Sequence, residues 1–109
     1  MHPHHDIFVL ALHERRKVRL TSTGAEDGKV RVRTCAPLDV GPLRRAADHT
    51  DRYHVWDFEG SKRPHATSVR PEQMIKVEAT DELFDPGKFV TWDLRKTPWS
   101  LPRDWGIWS

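Results

Sequence analysis

Apolar residues occupy every second position in two stretches that lie close together in the chain. Over residues 17–21 and 30–34, apolar side chains alternate with basic or hydroxyl ones. Residues 24–28 between them predict a turn that ends in Asp27-Gly28, a pair that readily adopts the positive φ of a tight turn. A repeat of two residues is typical of a strand with one buried face. The pattern therefore predicts a β-hairpin with an apolar face and a basic face.

The pattern changes on either side of this hairpin. An apolar run behind Asp6 predicts a short helix over residues 7–16, with Asp6 as its N-cap, although a strand would also satisfy these apolar residues. Three further strands are predicted over residues 52–58, 65–69 and 74–79. The first of these is apolar on both faces and should be central, and in the last we expect Ile75, Val77 and Ala79 to point inward.

Two segments break the regular pattern. The connection over residues 37–51 is long, and Pro42 at a first helical position predicts one or two turns of helix after it. The tail from Phe84 onward is aromatic, and Pro98 and Pro102 exclude a regular helix there. We expect this tail to lie as an irregular strap over the sheet.

Short strands separated by turns at this spacing are typical of a small barrel. The predicted fold class is therefore mainly β: a five-stranded SH3/Sm-like small barrel with one short N-terminal helix and an aromatic C-terminal strap. A length of 109 residues suits one domain. We expect a mobile terminus over residues 1–5 and a single domain over 6–109, with its core at 17–79 and its strap at 84–109.

Composition and charge narrow the classes of protein. One cysteine excludes an internal disulfide framework, and no apolar run approaches the roughly 20 residues that cross a membrane. We therefore expect a cytoplasmic protein with no membrane contact. The net charge of +2 is unevenly distributed: residues 13–33 hold seven basic and three acidic residues, whereas 72–94 hold two basic and six acidic ones.

The basic face of the hairpin is the strongest candidate site. If its cations share one face, they repel one another, and a bound polyanion would relieve that repulsion and release counterions. These cations are Lys17, Arg19, Lys29, Arg31 and Arg33. The alternative is a solvated face that the acidic segment 72–94 neutralises.

Other reactive groups give weaker signals. Nearby cations would lower the pKa of Cys35, with His54 or His65 as the nearest available bases, but an inert core thiol is the commoner case. The histidines at positions 2, 4 and 5 lack the spacing of a metal site. No catalytic motif or phosphate-binding loop is present. We therefore expect no enzyme activity, no resident metal and no cofactor.

The tryptophans of the tail allow two interpretations. They either pack against the barrel or form a contact surface for a partner. The candidate interface residues are Trp99, Trp105 and Trp108.

The chain also resembles the WYL domain, a small barrel common in bacterial transcription regulators. The stretches 17–21 and 30–34 match its first two strands, and Tyr53 matches the centre of its Trp-Tyr-Leu signature, flanked here by Arg52 and His54. Residues 68–86 resemble its closing strand and exit. The resemblance implies that basic and hydroxyl side chains bind nucleic acid or a nucleotide-like regulator, at Arg33, Tyr53, His54, His65 and Arg70.

These observations predict a non-catalytic regulatory module that binds nucleic acid or a nucleotide-like anion on a basic sheet face. The predicted binding residues are Lys17, Arg19, Arg31, Arg33, Arg52, Tyr53, His54, His65 and Arg70. The alternative is a protein-interaction or self-association module that uses the acidic segment and the tryptophans of the tail.

Overall fold

One sheet of five antiparallel strands organises the protein in the computed structural model, which describes residues 3–24, 27–42, 48–59 and 63–109. The helix α1 is followed by strands β1 to β5, which lie in the order β4-β3-β2-β1-β5. Their bounds are His5–Glu14 for α1, Arg16–Thr23 for β1, Val30–Pro42 for β2, Asp51–Asp57 for β3, His65–Val69 for β4 and Met74–Leu83 for β5. This confirms the mainly β fold with five strands and one short helix.

Helix α1 packs one face against the sheet. Phe8, Ala11 and Leu12 are buried at helical spacing. The helix begins earlier than predicted, because His4 rather than Asp6 is its N-cap and Asp6 lies in the first turn, where a negative charge favours the helix dipole. Arg15 ends the helix in the left-handed conformation, with φ of 56°. No helix in the described part of the chain has the length and apolarity needed to span a membrane.

The β1–β2 hairpin has its basic side chains on two faces, which corrects the prediction of a single basic face. Leu20 lies opposite Arg33, and Ser22 lies opposite Arg31, so both arginines share the inner face with Leu20. Val30 and Val32 point outward and are more than half exposed. The reason is that β3 begins to pair with β2 only at Cys35, so the tip of the hairpin extends beyond the packed core.

Strand β2 also occupies much of the predicted long connection. It runs through to Pro42, with a change of register between Pro37 and Asp39. Proline has no N–H to donate, and a bulge is one of the few places where a sheet tolerates it. The helical turn predicted after Pro42 falls on residues 43–47, outside the described residues.

Strand β3 is covered on both faces, as its pattern predicts. Tyr53 and Val55 are buried on the inner face, and Trp56 stacks on Phe89 at 5.1 Å on the outer face.

In β5 one of the predicted inward positions is wrong. Val77 is buried as predicted, but Met74 is buried in place of Ile75, which is exposed. A shift in the β1–β5 register at Thr21/Ser22 changes the alternation between Met74 and Val77 and turns Ile75 outward. Ala79 pairs with the buried Val18 on the face of Val77, although it is exposed.

Residues 84–109 form the strap, which is irregular except for two short 3-10 turns. The carboxylate of Asp39 on β2 holds it, accepting the backbone N–H groups of Ser100 and Leu101 at 2.9 Å each. The buried side chain of Arg103 contacts the same carboxylate at 3.2 Å. Trp105 donates its indole N–H to the carbonyl of Leu12 at 2.9 Å, which joins the strap to α1.

Candidate ligand-binding site

A cavity of about 360 Å³ opens on the inner face of the sheet at the tip of the β1–β2 hairpin. We call it the inner cavity. Helix α1 covers the other end of this face, where Phe8 packs on Tyr53 with ring centroids 5.0 Å apart. The antiparallel register brings side chains from four strands to the inner cavity. Those with polar groups include Ser22, Arg31, Arg33, Asp57, His65 and Thr67, above an apolar floor that includes Leu20 and Val55.

The two arginines of the inner cavity have different partners. Arg31 donates to both carboxylate oxygens of Asp27, at 2.6 and 3.3 Å, and this interaction lowers the pKa of Asp27. Arg33 donates to the carbonyl of Glu59 at 2.7 Å. Among the described residues no carboxylate lies within 4.0 Å of the Arg33 guanidinium. Arg33 therefore brings a positive charge to the inner cavity without an ion-pair partner there.

Cys35 and Asp57 lie opposite each other at the base of the inner cavity. Burial raises the pKa of the Cys35 thiol far above its ordinary value, and the charges of Asp57 and Glu59 raise it further. The charge of Arg33 lowers this pKa, as predicted for nearby cations, but burial and the two carboxylates outweigh it, so the net direction differs from the prediction. The thiol remains protonated at neutral pH and is not activated as a nucleophile.

Lys17 and Arg19 face away from the inner cavity. Lys17 lies 3.2 Å from the carboxylate of Glu82 and 4.6 Å from the ring of Phe58. Arg19 pairs with Thr34 of β2 and with Glu78 of β5, on the exposed outer face. The acidic segment thus neutralises Lys17, as the alternative interpretation of the basic face expected.

The other predicted binding residues lie elsewhere. Arg52 and Arg70 meet at the far end of β3 and β4, where both approach Asp48, at 3.5 and 3.6 Å. Tyr53 is buried beneath α1, and His54 on the outer face donates its Nε2–H to the carbonyl of Gly41 at 2.8 Å. Of the nine predicted residues, the structure brings together Arg31, Arg33 and His65.

Sequence reasoning missed Asp57, Ser22 and Thr67 in the inner cavity. Each lies in a strand whose existence was predicted, but their shared position depends on the pairing between strands. In the sequence, the alternation of Tyr53 and Val55 extends to Asp57, which places Asp57 on the same face. This alternation was the one signal that could have indicated Asp57 as a site residue.

The structure corrects the interface assignment of the tail for Trp105. Its side chain is buried, with 2% exposed, between Phe84, Trp99 and the guanidinium of Arg103. Trp99 and Trp108 are half-buried, and the indole N–H of Trp99 donates to the carbonyl of Trp108 at 2.8 Å. Packing against the barrel therefore accounts for Trp105.

A second cavity, of about 410 Å³, lies between the strap and the outer face of the sheet. We call it the outer cavity. Its walls are mostly apolar and include Trp92, Pro98 and Trp99 from the strap and Leu38 and Ala66 from the sheet.

Metal-binding chemistry finds no support in the described residues. No group of three or more His, Cys, Asp or Glu side chains among them could hold a metal ion. Of the three N-terminal histidines, position 2 lies outside the described residues. His5 is the first residue of α1, so it does not belong to the predicted mobile terminus, and its Nδ1 lies 2.8 Å from the Tyr53 hydroxyl.

Comparisons with known proteins connect the fold to one solved structure. The chain is similar in structure to proteasome accessory factor B/C (PafBC) of Arthrobacter aurescens, with a TM-score of 0.61 and 15% sequence identity. The match covers 91% of this chain but 13% of that protein. No family model and no curated protein matches the sequence. This likeness concerns the fold, and it supports the resemblance to the WYL domain at that level.

Proposed function

We propose that the chain is a regulatory ligand-binding module that holds a nucleotide-like anion in the inner cavity. The observation that carries the proposal is the convergence of Arg31, Arg33 and His65 on one cavity lined by hydroxyl groups. Its volume of about 360 Å³ falls within the usual range of small-molecule sites, about 300–1000 Å³. The resemblance of the sequence to the WYL domain, which is common in bacterial transcription regulators, supports a regulatory role, and the fold likeness to PafBC agrees with that resemblance at the level of the fold.

Arg33 supplies the anion recognition. A guanidinium carries five N–H donors in a planar fork that matches the oxygens of a phosphate. One of these donors is committed to the carbonyl of Glu59, and the remaining ones are free of carboxylate partners among the described residues. Hydrogen bonds to charged groups contribute about 1.5–3 kcal/mol each, so Arg33 alone provides a substantial part of the affinity for a phosphate.

Asp57 explains why we propose a nucleotide rather than a bare phosphate. The residue is 8% exposed and lines the inner cavity, and one of its carboxylate oxygens, Oδ1, accepts the backbone N–H of Glu59 at 2.8 Å. A carboxylate repels a phosphate but accepts hydrogen bonds from the N–H groups of a nucleobase. The apolar floor of Leu20 and Val55 suits the face of the base. The phosphate would then lie toward Arg31 and Arg33, and the base toward Asp57.

The size of the inner cavity also restricts how nucleic acid would bind. A cavity of this volume accommodates one nucleotide, so a duplex would remain outside it. Single-stranded nucleic acid would enter through one unstacked nucleotide, as in many single-strand binding sites.

The test is calorimetric titration of AMP and of adenosine at low ionic strength. Arg33→Ala should weaken AMP binding by about tenfold or more, the equivalent of about 1.4 kcal/mol, and should change adenosine binding little. Arg19→Ala is the matched control, because it removes the same charge from the outer face of the neighbouring strand. Absence of AMP binding, or equal losses in the two variants, would overturn the proposal.

A further inference from the structure

The two edges of the sheet are protected to different degrees. Strand β5 carries Lys76, Glu78, Asp81 and Glu82, and it has an irregular register. Strand β4 reads His-Ala-Thr-Ser-Val and has no Asp, Glu, Lys or Arg. Charged side chains and bulges are the usual means of preventing another strand from adding to an edge. The edge of β4 lacks both.

One side of the β4 backbone carries no paired strand in the part of the chain that the structure describes, where β4 pairs with β3 alone. Every second N–H and C=O of an edge strand points away from the sheet. The side chains of Ala66 and Thr67, at the centre of β4, are exposed.

The same strand separates the two cavities. Ala66 lines the outer cavity, whereas His65 and Thr67 line the inner cavity. Side chains of an added strand alternate between the two faces. A residue placed opposite Ala66 would therefore enter the outer cavity, and its two neighbours would face the side of the inner cavity.

The outer cavity and the charged groups along β4 indicate which side chains an added strand would carry. In the outer cavity the rings of Trp92 and Trp99 lie edge to face at 5.7 Å, and a volume of about 410 Å³ holds a large apolar side chain. Residues 63–70, which comprise β4 and its flanks, include Arg63 and Arg70 and no carboxylate. Arg70 lies 3.6 Å from Asp48 and 4.0 Å from Glu72, whereas Arg63 has no carboxylate within 4.0 Å among the described residues and so keeps a positive charge beside β4. An acidic segment complements this charge.

We propose that the outer edge of β4, which is unpaired among the described residues, binds an extended acidic peptide of a partner protein, with one large apolar residue seated in the outer cavity. Backbone hydrogen bonds to β4 supply affinity, and the alternation of apolar and acidic side chains supplies selectivity. This surface goes beyond the proposed nucleotide site, because its apolar anchor lies on the opposite face of the sheet.

The probe is a fluorescein-labelled heptapeptide in which aspartate and valine alternate around a central phenylalanine. Its control has the same composition with the aspartates grouped at one end. Fluorescence anisotropy with the full chain should show about tenfold or more tighter binding of the alternating peptide. Equal binding of the two peptides would show attraction by charge alone and would overturn the proposal.

Two variants locate the contact. Ala66→Glu places bulk and charge at the mouth of the outer cavity and should weaken binding of the alternating peptide by about tenfold or more. Ile75→Glu introduces the same residue on the exposed face of the opposite edge strand, where Ile75 is 47% exposed, and should change binding by less than about twofold. Equal effects of the two variants would contradict the assignment to β4. Ala66 does not line the inner cavity, so Ala66→Glu should leave AMP binding unchanged. A loss of peptide binding with unchanged AMP binding is therefore separate from a failure of the nucleotide site.

Amide exchange of the unmodified chain tests the backbone pairing directly. The peptide should slow exchange at alternate amides of β4 and leave β5 unchanged. If light scattering shows a dimer whose β4 amides are already protected, a second copy occupies the edge and the proposal fails. If the peptide binds without protecting β4, strand addition is excluded.

Discussion

Replacing Asp39 by asparagine tests whether one buried carboxylate holds the strap. The change keeps the shape of the side chain but removes its charge and one acceptor oxygen. Ser100 donates to Oδ2, whereas Leu101 and Arg103 donate to Oδ1. An amide offers one acceptor oxygen, so at least one buried donor loses its partner.

The expected loss is large because Arg103 cannot reach water. Its side chain is 0% exposed and lies over the rings of Trp99 and Trp105, at 4.0 and 4.5 Å from their centroids. Burial lowers the pKa of Arg103 to about 10, against the opposing influence of Asp39, so the guanidinium remains charged at neutral pH. Removing one partner of a buried ion pair costs about 3–5 kcal/mol. We expect Asp39→Asn to lower the free energy of unfolding by that amount, out of a total of about 5–15 kcal/mol.

Urea unfolding followed by tryptophan fluorescence measures this effect. The control is Asp93→Asn in the same strap, where the partner Arg95 is 92% exposed and the pair should contribute about 0–1 kcal/mol. Combining Asp39→Asn with Arg103→Met removes both charges and should recover part of the loss. A cost below about 1 kcal/mol for Asp39→Asn alone, similar to the control, would refute the role given to the carboxylate.

Three further changes probe the thiol, the strap contact and the inner cavity. Because the folded state raises the pKa of Cys35 above its ordinary value of 9.0, the unfolded chain loses this proton first. The free energy of unfolding should therefore fall by about 1 kcal/mol as the pH rises from 8 to 9.5, and urea midpoints of Cys35→Ala should lack this decline. Gly41→Ala places a Cβ 2.6 Å from the Ser100 hydroxyl and should cost about 1–3 kcal/mol by displacing the strap; an unchanged urea midpoint would contradict this contact. Asp27→Asn releases the Arg31 guanidinium and should strengthen AMP binding by about two- to fivefold in calorimetry, whereas weaker binding would show that Asp27 orients Arg31 for the ligand.

Local pattern was sufficient for most of the elements. Strand β4 and the turn at Pro71–Gln73 lie at the predicted residues, because alternation and a proline mark them within a few positions. The extension of β2 through Pro37 was missed, since proline normally ends a strand and its bulge depends on the pairing with β3. The outward position of Ile75 was missed for a similar reason, because the change of register between β1 and β5 cannot be read from the sequence of one strand.

The candidate site required information that no single strand contains. Alternation within β2 correctly groups Arg31 with Arg33, but it cannot say that Arg19 of β1 lies on the opposite face. Apolar side chains usually mark the buried face, and Val30 and Val32 reverse this rule because the hairpin tip extends beyond β3. The charge of Arg33 and the place of Asp57 therefore became apparent only from the paired sheet.

The hydrogen bond between Trp105 and Leu12 has a kinetic consequence. It joins residues 93 positions apart, and contacts of such long sequence separation must overcome a large entropy of loop closure before they contribute stability. Docking of the strap is therefore expected among the late events of folding. In a refolding experiment the emission of Trp105 would report the completed structure rather than the earlier formation of the hairpin.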